Sequence, residues 1–376
     1  MCLKQYKLED LYKMSSGLSS NPNQAGYGFP FISFTTIFKN VILPDIIIDR
    51  MQTNDIEQKK YSIKKGDVLI TRTSENIDEL AMTSVAVKDY PNTTFSGFAK
   101  RLRPTIKNIE QKITYDKYMA FFFRSNYFRK IINNMAIMTL RASFNEQILS
   151  YIKILLPSYK HQVKVGNLLY SIYKQIERNN AMVKRLQVLA HITFDYFSKN
   201  NNKCNFVVLN DILIEKDKSK IQVSDVQDAS GFIPFFTSGD AVLYTNEKLE
   251  TGFNIFLSTG GNAKVQAYYG DVSYSTDTWC ITAKNNLQFH LFEYLKHIES
   301  QMDKLYFHGT GLKHLQKPIF LKSIISIPNE DLLKKYNTIV EPIYQQISKI
   351  EQSTIQLQCS KNKLLPLLIN QQLTWK

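Results

Sequence analysis

Residues 158–197 read SYKHQVKVGNLLYSIYKQIERNNAMVKRLQVLAHITFDYF, and the periodicity of this stretch decides how the chain is organised. Apolar or semi-apolar residues fall at Val165, Leu169, Ile172, Ile176, Val183, Leu186, Ala190 and Phe197, in steps of four and three, with Asn179 and Thr193 as polar members. Such steps form a heptad seam along one face of a long helix. The pattern recurs 171 residues downstream at Tyr336, Val340, Ile343, Ile347, Ile350, Thr354, Leu357, Leu364 and Leu368, broken by Lys361. Tyr173-Lys174-Gln175-Ile176 lies over Tyr344-Gln345-Gln346-Ile347, and each copy is entered through a short apolar run closed by a proline, Pro157 or Pro328. Two helices with matched seams bury their apolar faces most simply against each other. The expectation is an antiparallel coiled coil, a rod of roughly 60 Å at 1.5 Å per residue. Pro342 and Pro366 fall inside the second copy and predict a kink or fraying there.

A chain of 376 residues exceeds what one hydrophobic core usually serves. Its 44% hydrophobic content, rich in Phe and Tyr, suffices for packed cores and excludes a disordered chain. No apolar run approaches the roughly 20 residues of a membrane span, and MCLKQYKLED lacks the apolar core of a secretion signal, so a cytoplasmic location is expected. Cys2, Cys204, Cys280 and Cys359 are far apart and form no CxxC pair, which argues against a zinc site or a disulfide framework. The net charge is +14, with the excess in the first two hundred residues. A surplus of that size suits a polyanion such as nucleic acid, because neutralising phosphates releases counterions.

In order, Tyr6 to Leu11 leads into a turn-rich loop. Phe29-Pro30-Phe31-Ile32 opens a strand, and Gly66-Asp67 turns into the buried strand Val68-Leu69-Ile70-Thr71. Residues 96–104 read as a strand with basic residues among apolar ones, and residues 115–135 as one helix. After the polar stretch 199–203 the same order restarts. Val208 to Ile212 matches Lys7 to Leu11, Gly231-Phe232-Ile233-Pro234-Phe235 matches Gly28-Phe29-Pro30-Phe31, residues 250–256 take the place of the Gly66 turn, and residues 275–280 that of the strand at 96. The fold class is α+β, one unit used twice in a pseudo-twofold repeat. Expected boundaries are a first domain over 1–157, a long helix over 158–200, a second domain over 201–328 and a second long helix over 329–376.

This arrangement resembles the DNA-specificity (S) subunit of type I restriction-modification enzymes, over essentially the whole chain. The most specific stretches are KKGDVLITRTSENIDELAMTSVAV (64–87), YGDVSYSTDTWCITAK (269–284), GTGLKHL (309–315) and the LLP and SIP entries to the two helices. Many members carry Glu-Gln just after the proline, where this chain has Tyr159-Lys160-His161-Gln162 and Asn329-Glu330-Asp331. The resemblance implies two tandem target recognition domains, each reading one half of a split target in double-stranded DNA. The paired helices would separate the halves and dock two methyltransferase subunits, with or without restriction subunits. It implies no catalysis and no cofactor on this chain; S-adenosylmethionine, ATP and Mg²⁺ would belong to the partners.

Base edges are read by donors and acceptors, while basic side chains on phosphates fix position. The candidates in the first domain are Arg72, Thr73, Ser74 and Asn76 in the loop after the Gly66 strand, with Lys100, Arg101, Arg103 and Arg141 nearby. In the second they are Ser258, Thr259, Asn262 and Lys264, plus Thr276, Thr278, Lys313 and His314. The candidate helix-pairing residues are Val165, Leu169, Ile172, Ile176, Val183 and Leu186 against Val340, Ile343, Ile347, Ile350, Leu357 and Leu364. All nine arginines lie between Arg50 and Arg185, so the second domain must work through Lys, Asn, Gln, Ser, Thr and Tyr. Two other classes compete. One is a coiled-coil scaffold without a DNA role. The other is a Mg²⁺-dependent nuclease using Asp45, Glu57 and Lys59 of a PD…ExK string, although Glu57 sits in a polar run rather than a buried strand. The six histidines include no HExxH pair, so no metal site is expected.

Overall fold

The structure is a computed structural model and describes residues 3–19, 22–73, 79–136, 143–199, 205–226, 231–370 and 372. It divides into two compact units, one of residues 1–174 with 359–376 and the other of residues 175–358. Both unit boundaries fall within the long helices, Tyr159–Lys199 and Glu330–Ile369, rather than at their ends.

In the first unit the strands Tyr12–Ser16, Ala99–Pro104, Val68–Thr71 and Thr83–Val85 form a four-stranded antiparallel sheet in that order. A three-stranded sheet orders Arg50–Met51, Ala25–Ile32 and Thr94–Phe95. Lys4–Lys7 pairs with Lys153–Leu156, the run that leads into the central helix. The first sheet is buried because Val68 to Thr71 is inaccessible on both faces. Its neighbours are aromatic: Phe123 and Phe128 meet edge to face at 4.8 Å within a cluster that also holds Tyr118, Phe121, Phe122 and Phe144. Each such ring contributes about 1.5–3 kcal/mol on burial. The helix expected over 115–135 is two helices, Asp116–Phe122 and Asn126–Ala136. The break is chemical. Arg124 donates to the carbonyls of Thr83, Ile37 and Phe38 at 2.7, 2.8 and 2.9 Å, and the Ser125 hydroxyl accepts from Phe128 N at the start of the second helix.

The second unit repeats this order strand for strand. Leu213–Glu215, Thr278–Ala283, Phe253–Ser258 and Val265–Tyr269 form the four-stranded sheet, and Val242–Thr245, Ile233–Phe236 and Ser273–Tyr274 the three-stranded one. Asn205–Val208 pairs with Ile324–Ile327, again the run that enters a long helix. Even single bonds recur: Leu8 N donates to Ile152 O, and Leu209 N to Ser323 O, each at 2.9 Å. One helix, Gln288–Leu305, stands where the first unit has two, and a short hairpin, Phe307–His308 with His314–Leu315, follows it.

Within the first unit, Val165 and Leu169 of the central helix are inaccessible in the same core as Leu368, with Leu364 packed against it, while Ile172 is half-buried. Within the second unit, Val183 shares a core with Val340, Ile343 and Ile347, and Leu186 and Ile350 pack on it. Ile176 is buried and Leu357 half-buried. Phe197 meets Tyr336 at 5.7 Å between ring centroids and Asn179 meets Thr354, so the segments run antiparallel. Lys361 is half-buried and its pKa is lowered by desolvation. Pro342 and Pro366 both lie inside one continuous helix. Each removes an N–H, but Val340, Ile343 and Leu368 beside them are buried, and that packing maintains the helix.

The entry to the central helix is fixed by Gln162. Its amide donates to Ile113 O at 2.8 Å and Pro157 O at 3.0 Å, and accepts from Tyr115 N at 3.0 Å. One turn on, a Cβ at Gly166 would stand 2.7 Å from Tyr118 N. That close approach explains a glycine where alanine would favour the helix by about 1 kcal/mol.

Candidate nucleic-acid interface

In the second unit, the strand Phe253–Ser258 runs out into Thr259-Gly260-Gly261-Asn262. The Ser258 hydroxyl closes this loop by donating to Asn262 O at 2.7 Å and accepting from Lys264 N at 3.0 Å. Gly261 has φ +79°, which a side chain would strain. The hairpin then docks on the loop: Gly261 N donates to Lys313 O at 2.9 Å and Leu315 N to Thr259 O at 3.0 Å. Thr259 Oγ1 also donates to Asp277 O at 2.7 Å. Residues from three distant parts of the sequence, Thr259 and Asn262, Thr276, and Lys313 and His314, are thereby gathered on one rim. Asn262, Lys313 and His314 are exposed; Thr259 and Thr276 are half-buried.

The first unit builds the equivalent rim. Arg72 follows the strand Val68–Thr71, its N–H donates to Phe98 O at 2.9 Å, and its carbonyl accepts from Phe144 N at 2.8 Å. Thr73 bridges Ser143 as Gly260 bridges His314. Arg72 and Thr73 are exposed, and Lys100 Nζ lies 2.7 Å from Ser16 Oγ. Burial, then the nearby Arg72 charge, pull the Lys100 pKa down. Ser74, Asn76 and Arg141 lie outside the described residues. Sequence reasoning passed over Phe98, which is 65% exposed beside Arg72. The available signal was an aromatic in a Ser-Gly turn with no apolar partner in period.

Five of the sequence candidates do other work. Arg103 Nε and Nη2 hold Asp67 at 2.8 and 2.6 Å, and Nη2 also donates to Ser62 O at 2.8 Å. Arg101 is buried, donates to Ser62 O and lies over the Phe95 ring at 5.5 Å. Both therefore pin the Gly66-Asp67 turn from inside. Ser258 and Thr278 are buried; the Thr278 hydroxyl pairs with Ser275 Oγ at 2.8 Å and donates to Phe236 O at 3.2 Å, leaving it no reach toward a base. Lys264 is half-buried and paired at 2.5 Å with Asp240, a contact that raises the lysine pKa and lowers that of the carboxyl.

The acidic groups of the nuclease reading are engaged in the same way. Asp45 is held by Lys174 at 2.8 Å and Lys88 at 3.4 Å, which depresses its pKa. Glu57 accepts from Asn54 N at 3.0 Å, as the capping box of the short exposed helix Asp55–Lys60. Among the described residues, one group could share a metal ion: His191, Asp195 and His297. The spacing behind it is HxxxD on one helix and ExxxH on another. Cys280 is buried, its thiol pushed up to about 12 by desolvation, and so inert. No described helix is long and apolar enough to cross a membrane.

Comparison with known proteins agrees with this architecture. The family model of the type I restriction modification DNA specificity domain matches residues 201–358. The crystal structure of a type I restriction-modification S subunit from M. genitalium superposes with a TM-score of 0.65 at 13% identity, covering 98% of this chain and 96% of that one. The HsdS subunit from Thermoanaerobacter tengcongensis covers the same shares at 12% identity, with a TM-score of 0.35. No curated protein sequence matches. Residues 201–358 thus match a type I restriction modification DNA specificity domain, and the chain shares its α+β fold with two long helices with a type I S subunit.

Proposed function

We propose that the chain is the non-catalytic specificity subunit of an adenine-methylating restriction-modification complex, reading a two-part DNA target. Residues 1–157 would read one half and residues 201–328 the other, with the helices over 158–200 and 329–376 setting the distance between them. The observation that carries this reading is the shared strand order of the two units, one of which matches the DNA specificity domain. Arg72, Thr73, Lys100 and Phe98 are the contact groups of the first half; Thr259, Asn262, Thr276, Lys313 and His314 those of the second. Without an arginine, the second rim favours adenine and thymine edges or a lysine on guanine.

Methyltransferase subunits, and restriction subunits where present, supply S-adenosylmethionine, ATP and Mg²⁺ chemistry. Met182, Leu189, Ile192 and Tyr196 are exposed along the central helix at 46, 48, 58 and 62%, an apolar face suited to such a partner. The test is methylome sequencing of cells expressing the chain with an adenine methyltransferase partner. A split motif with a methylated adenine in each half supports the reading; an unsplit motif, or no methylation, overturns it.

A further inference from the structure

We infer that His191, Asp195 and His297 form a binding site for a borderline-soft divalent cation, Zn²⁺ in the first instance, clipping the central helix to the helix Gln288–Leu305. His191 and Asp195 lie four residues apart on one helix, and Glu293 and His297 four apart on the other, so each pair shares a face. The His191 and His297 rings stack at 5.9 Å between centroids with 26° between planes. One ligand atom from each of His191, Asp195 and His297 lies within 4.8 Å of the others. A tetrahedral Zn²⁺ with bonds of about 2.0–2.2 Å sets its donors about 3.3 Å apart. Small rotations of half-buried and exposed side chains close that gap.

What distinguishes this group from a chance meeting of surface residues is the buried carboxylate behind it. Glu293 is 3% exposed. It lies 3.1 Å from His191 Nδ1 and accepts a short hydrogen bond from the Tyr344 hydroxyl. Burial raises its pKa, while Tyr344 and His191 draw it back. A carboxylate accepting from Nδ1–H leaves Nε2 as the nitrogen with the free lone pair, and Nε2 lies 4.0 Å from Asp195. A buried acid that orients a ligand imidazole and raises its basicity is the usual outer shell of a histidine metal site. Two imidazoles and a carboxylate suit Zn²⁺, Co²⁺ or Ni²⁺ rather than Mg²⁺ or Ca²⁺. Lys199, 3.9 Å from Asp195, is exposed and free to swing away.

The experiment uses the full chain, freed of metal with a chelator and titrated with Zn²⁺ by calorimetry at pH 7.5, with Co²⁺ as the spectroscopic probe. The expected result is one ion per chain and a visible Co²⁺ absorption band. Zn²⁺ should also raise the thermal midpoint. His297→Ala and Asp195→Asn, both at accessible side chains, should each weaken Zn²⁺ binding tenfold or more and abolish the thermal shift. Glu293→Gln should weaken it about tenfold to a hundredfold through loss of the orienting carboxylate. If the parent chain binds no Zn²⁺, or His297→Ala binds it as tightly as the parent because the ion sits elsewhere, for example at a thiol, the site is refuted.

Discussion

Asn179 Nδ2 donates to Thr354 Oγ1 at 3.0 Å across the two long helices, joining a polar member of one seam to a polar member of the other. Both residues are buried, and each has a second partner, Gln175 for the asparagine and Ile350 O for the threonine. A polar pair in such a seam costs stability relative to leucine but selects one register, since any slip leaves the buried Asn179 Nδ2 without its acceptor. Thr354→Val alone should destabilise the chain by about 1–2 kcal/mol. The pair Asn179→Leu with Thr354→Val should recover most of that loss. Urea unfolding midpoints of the two variants check this; a double variant as unstable as the single one would deny the pairing.

The Asp67 side chain is wholly buried and held by two bonds from Arg103 and one from Lys64 N at 2.8 Å. Removing one member strands a buried charge, which costs about 3–5 kcal/mol in comparable pairs. Arg103→Ala should therefore lower the thermal midpoint markedly. DNA affinity per folded molecule should stay unchanged, because this arginine faces the Gly66 turn. An Arg103→Ala protein of parental stability with weakened DNA binding would reverse the assignment.

Arg72→Ala and Lys313→Ala should each weaken DNA binding and lower the slope of log affinity against log salt by about 1, as expected for a lost phosphate contact. Phe98→Ala should weaken binding with no change in slope, since a ring stacks or wedges without neutralising charge. Anisotropy titrations from 50 to about 200 mM salt separate the two outcomes. Unchanged slopes for Arg72→Ala and Lys313→Ala would remove both rims from the interface.

Desolvation raises the Glu351 carboxyl from 4.5 to about 7. It lines a cavity of about 490 Å³ with His191, Lys264, Glu293 and Lys296. Between those two pH values the unfolded chain has lost a proton that the folded chain keeps, so stability from this group falls as pH rises from 4.5 and levels off above about 7. Glu351→Gln should match the parent at pH 4.5 and exceed it in stability at pH 8. Denaturant midpoints that differ equally at both pH values would contradict this.

Much of this was legible in the sequence because it depends on period. Val165, Leu169 and Val183 of the first seam and Val340, Ile343 and Ile347 of the second are spaced for one helix face, and Gly66-Asp67 marks a turn in any context. What period cannot supply is the direction of a charged side chain in a strand. Arg101 and Arg103 alternate with apolar neighbours in a way that fits an outward basic face. Their inward course is decided by Asp67 and the Ser62 carbonyl, more than thirty residues away. The two rims were readable only as candidate loops, because Gly260 meets His314 through a hairpin over fifty residues downstream. Pro342 is kept in the helix for a related reason: propensity argues against helix there, and burial of Val340 and Ile343 overrides it.

The central claim, that helix length sets the gap between two DNA half-sites, is tested by inserting one heptad into each long helix, after Asn179 and before Thr354. Seven residues add about 10.5 Å at 1.5 Å per residue, close to three base pairs at about 3.4 Å each. Methylome sequencing should recover both original half-sites, separated by about three more base pairs than in the parent. Methylation of the parental motif with its original gap would contradict the account.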